Sequence, residues 1–551
     1  MGTEQGLTTD SEQPTRRRFL QSGALGVSAL TLPALAGARE MSSAPMPALA
    51  IRPFELEEAT VRDLQAGMSS GKFTAHSLAE KYLERIDEID KHGPGVNTVI
   101  ELNPDALSIA AALDKERKEK GARGPLHGIP VLIKDNIETA DRMLTTAGSL
   151  ALLGSRPAQD SFVAQKLRQA GAVILGKTNL SEWANIRSSH STSGWSGRGG
   201  LTKNPYALDR NPCGSSSGSA AAVSANLCAL AVGTETDGSV VCPSSANGIV
   251  GLKPTLGLLS RSGIIPIAHS QDTPGPMART VREVAVLLSA LAGTDPRDAA
   301  TAESSGKAPA DYTKFLDPNG LRGVRIGVAR KYFGFSDAVD KLMAGALDAM
   351  KSQGAVIVDP ADLESHGKFD DTEQTVLLYE LKTDLNAYLS NRPGAAIHSL
   401  EELIAFNEHN RDKEMPYFGQ DLLIKAQAKG PLTDKEYLDA LEANRRLSRK
   451  EGIDGAMDKF QLDAIVAPTG GPAWITDLVN GDHFTGGSSN AAAVAGYPAI
   501  TVPVGMTFGL PVGISFFGRA WSEPALLKLA YSFEQATKGR KRPQFLATAA
   551  L

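Results

Sequence analysis

Short apolar runs alternate along most of the chain with longer stretches whose apolar residues recur every three to four positions. Glu57–Ile89 is of the second kind, with Leu64, Leu78, Tyr82, Leu83 and Ile86 on helical spacing. Ile129–Ile133 is a short apolar run and predicts a strand ending at Lys134. Residues 161–179 (SFVAQKLRQAGAVILGKTN) predict a helix and then a strand. An Ala-rich helical segment, Gly218–Asn226, leads into a strand-like run, Leu227–Gly233. Val324–Val328 and Ala355–Val358 read as strands around a helix at Ala338–Met350. Residues 372–460 are mostly helical and polar, and are expected to shape a cleft. Ala464–Ala467, Ala499–Val504 and Val512–Phe516 read as buried strands, and a helix from Pro524 to Thr537 closes the pattern. Strands alternating with helices predict an α/β sheet covered by helices on both faces.

Composition narrows this picture. The chain has 551 residues, 42% hydrophobic and 22% charged, which is ordinary for a globular protein. Length alone corresponds to roughly 3–4 domains of about 150 residues. The predicted elements run on without a linker, however, so one large domain over 53–551 is expected. The net charge of −5 indicates no polyanion partner, and no basic aromatic surface marks a nucleic-acid site. The sequence shows no internal repeat, no long low-complexity tract and no zinc-ligand spacing. The three cysteines, Cys213, Cys228 and Cys242, are few and odd in number. That argues against a disulfide framework, and they are expected to be small buried residues.

The N-terminus has its own character. Thr15–Gln21 reads TRRRFLQ, which matches a twin-arginine export signal, and Ala36-Gly37-Ala38 is a plausible cleavage site. The apolar run between them is short and rich in Gly, Ala and Ser, so a permanent membrane anchor is not expected. Residues 1–38 are therefore read as the signal and 39–52 as a Pro/Ser/Ala-rich linker. The signal implies folding in the cytoplasm, recognition by the twin-arginine machinery and a periplasmic or secreted location.

The candidate chemistry lies in Cys213–Thr255, CGSSSGSAAAVSANLCALAVGTETDGSVVCPSSANGIVGLKPT. Two Gly/Ser turns flank one strand-like run there. Glycine lets backbone N–H groups approach a ligand, and successive N–H groups can hold an oxyanion. A serine in such a turn needs a base to act as a nucleophile. Nine histidines are spread over the chain; the nearest is His269, and nothing marks a Ser–His pair. Lys134 ends an apolar strand, and burial would lower its pKa towards neutrality. Three other motifs are decoys. Gly171–Thr178 fits a phosphate loop, but its centre is a buried-strand sequence. Gly214–Gly218 fits a nucleophile elbow, but loop rather than strand precedes it. Ser69–Lys72 fits Ser-x-x-Lys without companion motifs.

These segments together resemble the amidase signature family. The matching residues are Lys134 in IKDN, Gly214–Ala222, GTETDGS ending at Ser239 and VGLKPT ending at Thr255. A gap of 24 residues between Ser215 and Ser239 is that family's spacing. The resemblance implies one mixed, twisted sheet and a metal-free, cofactor-free amide hydrolase. It makes Lys134 the base, Ser215 a bridging serine after a cis peptide bond and Ser239 the nucleophile. It places the oxyanion on the backbone of Thr236, Asp237, Gly238 and Ser239, and substrate contacts at Asn185 and Ala184. Two departures bear on substrate. Asp237 stands where the common pattern has Gly, and Val241 where it has an Arg that would pair with a substrate carboxylate. With Asn179–Arg187 and Ser270–Thr280, the variant turn resembles bacterial peptide amidases, which remove C-terminal amides. Alternatives are a broad aliphatic or aryl amidase or esterase, the amidase subunit of a tRNA-dependent amidotransferase, and a silent binding scaffold.

Overall fold

The computed structural model describes residues 51–550. The expected signal (1–38) and most of the expected linker (39–52) lie outside them. Thirteen strands follow in chain order: β1 Val99–Leu102, β2 Pro130–Lys134, β3 Val173–Thr178, β4 Trp195–Ser196, β5 Gly200–Leu201, β6 Leu230–Glu235, β7 Val250–Lys253, β8 Thr273–Ala278, β9 Arg325–Val328, β10 Val356–Val358, β11 Ala464–Pro468, β12 Ala499–Thr507 and β13 Leu510–Phe517. β4 and β5 pair with each other, and the other eleven form one sheet in the order β1-β3-β2-β6-β8-β7-β12-β13-β11-β9-β10. β2 runs parallel to β3 and β6, and β9 parallel to β10 and β11; the remaining pairs are antiparallel. The domain is a single large α/β unit with a mixed sheet, as expected.

Alternate residues of the strands show why both faces are covered. On β11, Ala464 and Val466 pack into one apolar cluster, while Ile465 and Ala467 pack into another. Phe516 and Phe517 of β13 divide the same way. The first cluster holds the helices Ala75–Ile86, Val281–Leu291, Asp337–Ser352 and Glu523–Thr537. The second holds Asn490–Ala495 and Asp454–Phe460. The predicted helix at Glu57–Ile89 is two helices, Val61–Ser69 and Ala75–Ile86, each opened by a threonine capping box at Thr60 and Thr74.

The hydrophobic pattern does not predict β8, which lies between β6 and β7. Its sequence is Thr-Pro-Gly-Pro-Met-Ala, and proline ordinarily argues against a central strand. The two prolines are two residues apart, so their missing N–H groups fall on one side of the strand. β6 pairs along all of β8, whereas β7 pairs only at Met277 and Ala278. The mostly helical segment after β10 carries the helices Asp370–Ser390, Leu400–His409 and Lys435–Arg445 before the chain re-enters the sheet at β11. Leu381, Leu385 and Leu403 of this segment pack against Leu152, Leu180, Trp183 and Ile265. That packing sets the helical segment against the region that holds the candidate site.

The decoy motifs resolve as structural features. Val173–Thr178 is a fully buried strand, not a loop. Lys177 is buried, pushed down to about 8 by desolvation, and donates to the Ile137 carbonyl and to Thr145 Oγ1. Ser69 and Lys72 are exposed, and Lys72 pairs with Glu55.

Candidate active site

β2 carries Lys134 into the interior because every residue from Pro130 to Lys134 is buried. Its neighbour β6 runs parallel to it and ends in Thr234 and Glu235. The Lys134 Nζ lies 2.7 Å from Ser215 Oγ, 2.9 Å from Thr234 Oγ1 and 3.2 Å from the Thr234 carbonyl. Asn136 Nδ2 donates to the same Thr234 hydroxyl at 3.0 Å. Burial pushes Lys134 down to about 7, against the pull of Asp272 and Glu235, which favour the charged form. A neutral amine has two hydrogens and one lone pair. With Thr234 accepting the two hydrogens, the lone pair faces the Ser215 hydroxyl.

Ser215 is fully buried and follows a cis Gly214–Ser215 peptide bond. Its carbonyl accepts from the Ser181 N–H at 3.1 Å. A Cβ at Gly214 would stand 2.2 Å from Ser181 Oγ, so only glycine fits there. The helix Ser217–Ser224 begins immediately afterwards, pressed so closely on the ends of β1 and β3 that a Cβ at Gly218 would meet the Thr98 and Asn179 carbonyls at 2.4 and 2.5 Å.

The second turn is shaped by Glu235. Its Oε2 accepts the Val240 and Val241 N–H groups at 2.6 and 2.9 Å, and the Gly238 amide also leans on this carboxylate. Gly238 takes φ +76°, the left-handed region that glycine adopts without strain. Among the described residues, no protein acceptor takes the N–H groups of Thr236, Asp237 and Ser239. Ser239 is 8% exposed and Ser215 is 0% exposed, so a ligand can reach only the first. The Ser216 N–H donates to the Ser239 carbonyl at 3.1 Å, which ties the two turns together. Burial pushes Asp237 up to about 6, against the opposing pull of the neighbouring Ser489 hydroxyl. Val241 packs among Ala329, Tyr332 and Ala491.

The expected contact residues sit on an unusual backbone. Trp183, Ala184 and Asn185 all have positive φ, at 48°, 54° and 75°. Non-glycine residues there cost about 1–3 kcal/mol each and persist only when surroundings hold them. Trp183 N–H donates to the Ala147 carbonyl at 3.0 Å, and Asn185 Nδ2 donates to Ser193 Oγ at 3.0 Å. Ser193 Oγ in turn donates to Asp482 at 2.5 Å. Ala184 lines a cavity of about 220 Å³ with Asn136, Thr234, Thr236, Ile265 and Asp272. Asn185 does not line it, but its Oδ1 is buried without a protein partner.

Some residues of the site carry no signal in the sequence. Thr234, Asn136 and Asp272 lie inside the matching motifs, yet nothing in their spacing assigns them a role. Asp272 Oδ1 accepts from Thr236 Oγ1 at 2.6 Å, and its Oδ2 accepts the Ile267 and Ala268 N–H groups. The expectation for the cysteines needs correction. Cys213 and Cys242 form a disulfide, with Cα atoms 6.0 Å apart; Cys228 alone is free and buried. Two cysteines 29 residues apart give no local signal, but each flanks one of the turns, and the fold brings those turns together. His269 lines the same cavity, and both its ring nitrogens face carboxylates: Nδ1 lies 2.8 Å from Asp384 and Nε2 3.3 Å from Glu380.

The amidase family profile matches residues 77–527. The chain belongs to the amidase signature family. A crystal structure of native peptide amidase from Stenotrophomonas maltophilia is 52% identical, covers 90% of this chain and all of its own, and superposes with a TM-score of 0.85. A probable amidase of Arabidopsis thaliana is 42% identical over 503 residues, 90% of this chain and 93% of the relative. A glutamyl-tRNA(Gln) amidotransferase component from Thermoanaerobacter pseudethanolicus is 33% identical over 516 residues, 90% of this chain and 100% of the relative. The amidase is thus an amide-hydrolysing enzyme.

Proposed function

We propose that this amidase removes the C-terminal carboxamide of peptides as ammonia, through an acyl-enzyme on Ser239. The observation that carries the mechanism is the 2.7 Å contact between Lys134 Nζ and Ser215 Oγ, beside a turn whose amides are free to bind an oxyanion. Ser239 Oγ attacks the carboxamide carbon. Its proton passes to Ser215 Oγ, whose own proton moves to the Lys134 lone pair. The amides of Thr236, Asp237 and Ser239 stabilise the oxyanion, while that of Gly238, expected among them, is directed at the Glu235 carboxylate; losing one such donor typically costs about 10²–10³ in turnover. The proton then returns through Ser215 to the nitrogen, and ammonia leaves. Water, deprotonated by the same relay, releases the peptide acid and frees Ser239. The preference for a peptide amide rests on the variant turn at Asp237 and Val241 and on the likeness to peptide amidase.

The test is ammonia release from a short peptide C-terminal amide, with an aryl amide and glutamine alongside, and Ser239→Ala as control. Release from the peptide amide, lost in the variant, is the expected result. Release from the aryl amide alone would keep the chemistry and discard the peptide reading. Release from glutamine would favour the amidotransferase-like reading, which Val241 argues against.

The pH dependence follows from the state of Lys134. The base must be neutral, so kcat/KM rises with pH through about 7 and levels above it. A profile flat between pH 6 and 8 would remove Lys134 from the role.

We also propose export by the twin-arginine route, with a periplasmic or secreted enzyme as product. The disulfide supports this reading, because disulfides persist in oxidising compartments. N-terminal sequencing of the enzyme from the periplasmic fraction would show cleavage after Ala38.

A further inference from the structure

The disulfide stands at the seam of the two turns. Cys213 is two residues before Ser215, and Cys242 is three residues after Ser239. Each half is bonded into its own turn. The Cys213 N–H donates to Asn211 Oδ1 at 2.8 Å, and its carbonyl accepts from Ser217 Oγ at 2.6 Å, so Cys213 is fixed to the first turn of the helix that follows Ser215. The Cys242 N–H donates to the Gly238 carbonyl at 2.8 Å, which closes the turn around Ser239. Between these two rigid pieces the backbone makes the single Ser216-to-Ser239 hydrogen bond described above. The covalent link is a further tie, attached before Ser215 where the hydrogen bond is attached after it, and beside it Asn247 Nδ2 donates to the Pro212 carbonyl at 2.8 Å.

We propose that Cys213 and Cys242 are positioning residues: their disulfide sets the separation of Ser215 and Ser239, and the dithiol enzyme turns over slowly. This rests on the proposed roles of the two serines. A proton relay through Ser215 tolerates little slack, since a misplacement of about 1 Å can cost about 10²-fold in rate. Cys213 is 5% exposed and Cys242 is partly exposed, so Cys242 is the accessible sulfur. Oxidation needs a disulfide-donating partner of the thiol–disulfide exchange class. The Cys242 thiolate attacks the donor's disulfide, and the resulting mixed disulfide is resolved by the Cys213 thiolate. The donor leaves as a dithiol carrying the two electrons and the two thiol protons. The amidase would then be slow in a reducing cytoplasm and fast once oxidised outside it.

The experiment compares the oxidised full-length enzyme with enzyme reduced by a phosphine under native conditions, its thiols counted. Readouts are kcat and KM on a peptide C-terminal amide and the rate at which a fluorophosphonate labels Ser239. Reduction is expected to lower kcat about 10–100-fold with KM nearly unchanged, to slow labelling in parallel, and to be reversed by oxidised glutathione. Cys213→Ser/Cys242→Ser is expected to sit at the reduced level and to ignore the reductant, with an unchanged far-UV circular dichroism spectrum. Full kcat and full labelling in the dithiol enzyme, or in the double variant, would overturn the proposal. So would a loss of activity that tracks a loss of ellipticity. If the oxidised enzyme ignores the peptide amide, the substrate reading fails, while the labelling ratio still decides the clamp.

Discussion

Replacing Lys134 by methionine lowers amide turnover by about 10⁴-fold and leaves a protein that unfolds no more easily than the wild type. The first half follows from its position: among the described residues it is the group within reach of Ser215 that can take a proton at neutral pH. The second half follows from linkage. An ordinary lysine titrates at 10.5 and Lys134 in the fold at about 7, because burial disfavours its charge. Between those values the unfolded chain holds a proton that the folded chain has released, so stability rises with pH across that window. At pH 7 the gap costs the fold on the order of 4 kcal/mol. Methionine removes that cost and leaves Ser215 and Thr234 without their hydrogen-bond partner, a loss of about 1–3 kcal/mol. Steady-state ammonia release and urea midpoints check both halves. A variant that is both inactive and markedly less stable would make Lys134 a structural residue.

Arg187→Ala destabilises the fold by about 3–5 kcal/mol, the largest stability loss expected of any single substitution considered. Arg187 and Glu182 are fully buried and paired at 2.5 Å. The guanidinium also donates to the carbonyls of Glu414 and Phe418 and lies over the rings of Phe418 and Trp195. Burial holds the Glu182 carboxyl well above the usual carboxylate range; Arg187 opposes this and the charge of Glu414 adds to it. Without the arginine, the two buried acids lose its positive charge and are left with neutral donors: the Gly197 N–H on Glu182, and the Leu150 N–H and Ser149 hydroxyl on Glu414. Combining the change with Glu182→Gln is expected to recover part of the loss, as contacting residues are not additive. Because Glu182 and Arg187 bracket the left-handed run at 183–185, kcat/KM falls too. Urea titration at pH 7 gives the first effect and peptide-amide kinetics the second; a change under about 1 kcal/mol would mean that the pair contributes little.

What could be read from the residues was what local pattern controls. Lys134 was legible because a charged group closing an all-apolar run is conspicuous. The helix after Ser215 was legible from its alanines. β8 was not, because the prolines that usually exclude a central strand fall where the β7 ladder has ended. The left-handed run at Trp183, Ala184 and Asn185 contains no glycine to announce it, and tertiary contacts impose it. The Cys213–Cys242 bond required knowing that two turns meet, which is a property of the sheet and not of either segment. Thr234 acquires its role from the adjacency of β2 and β6, which no spacing along the chain encodes.

The route of the chain around β9 separates chemistry from recognition. β10 and β11 flank β9 on its two sides, pairing at Val358 with Gly327 and at Ala464 with Ile326. The chain therefore leaves the sheet and rejoins it across two strand spacings, about 10 Å. Within that connection the helix Asp454–Phe460 covers the sheet, whereas the helices from Asp370–Ser390 to Lys435–Arg445 contribute none of the proposed catalytic groups yet press on the wall beside them. Those helices can be lengthened or shortened without moving a strand. One hydrolytic centre can thus be fitted to different amides by rebuilding a single insert, provided that the insert keeps a carbonyl and an aromatic ring for Arg187.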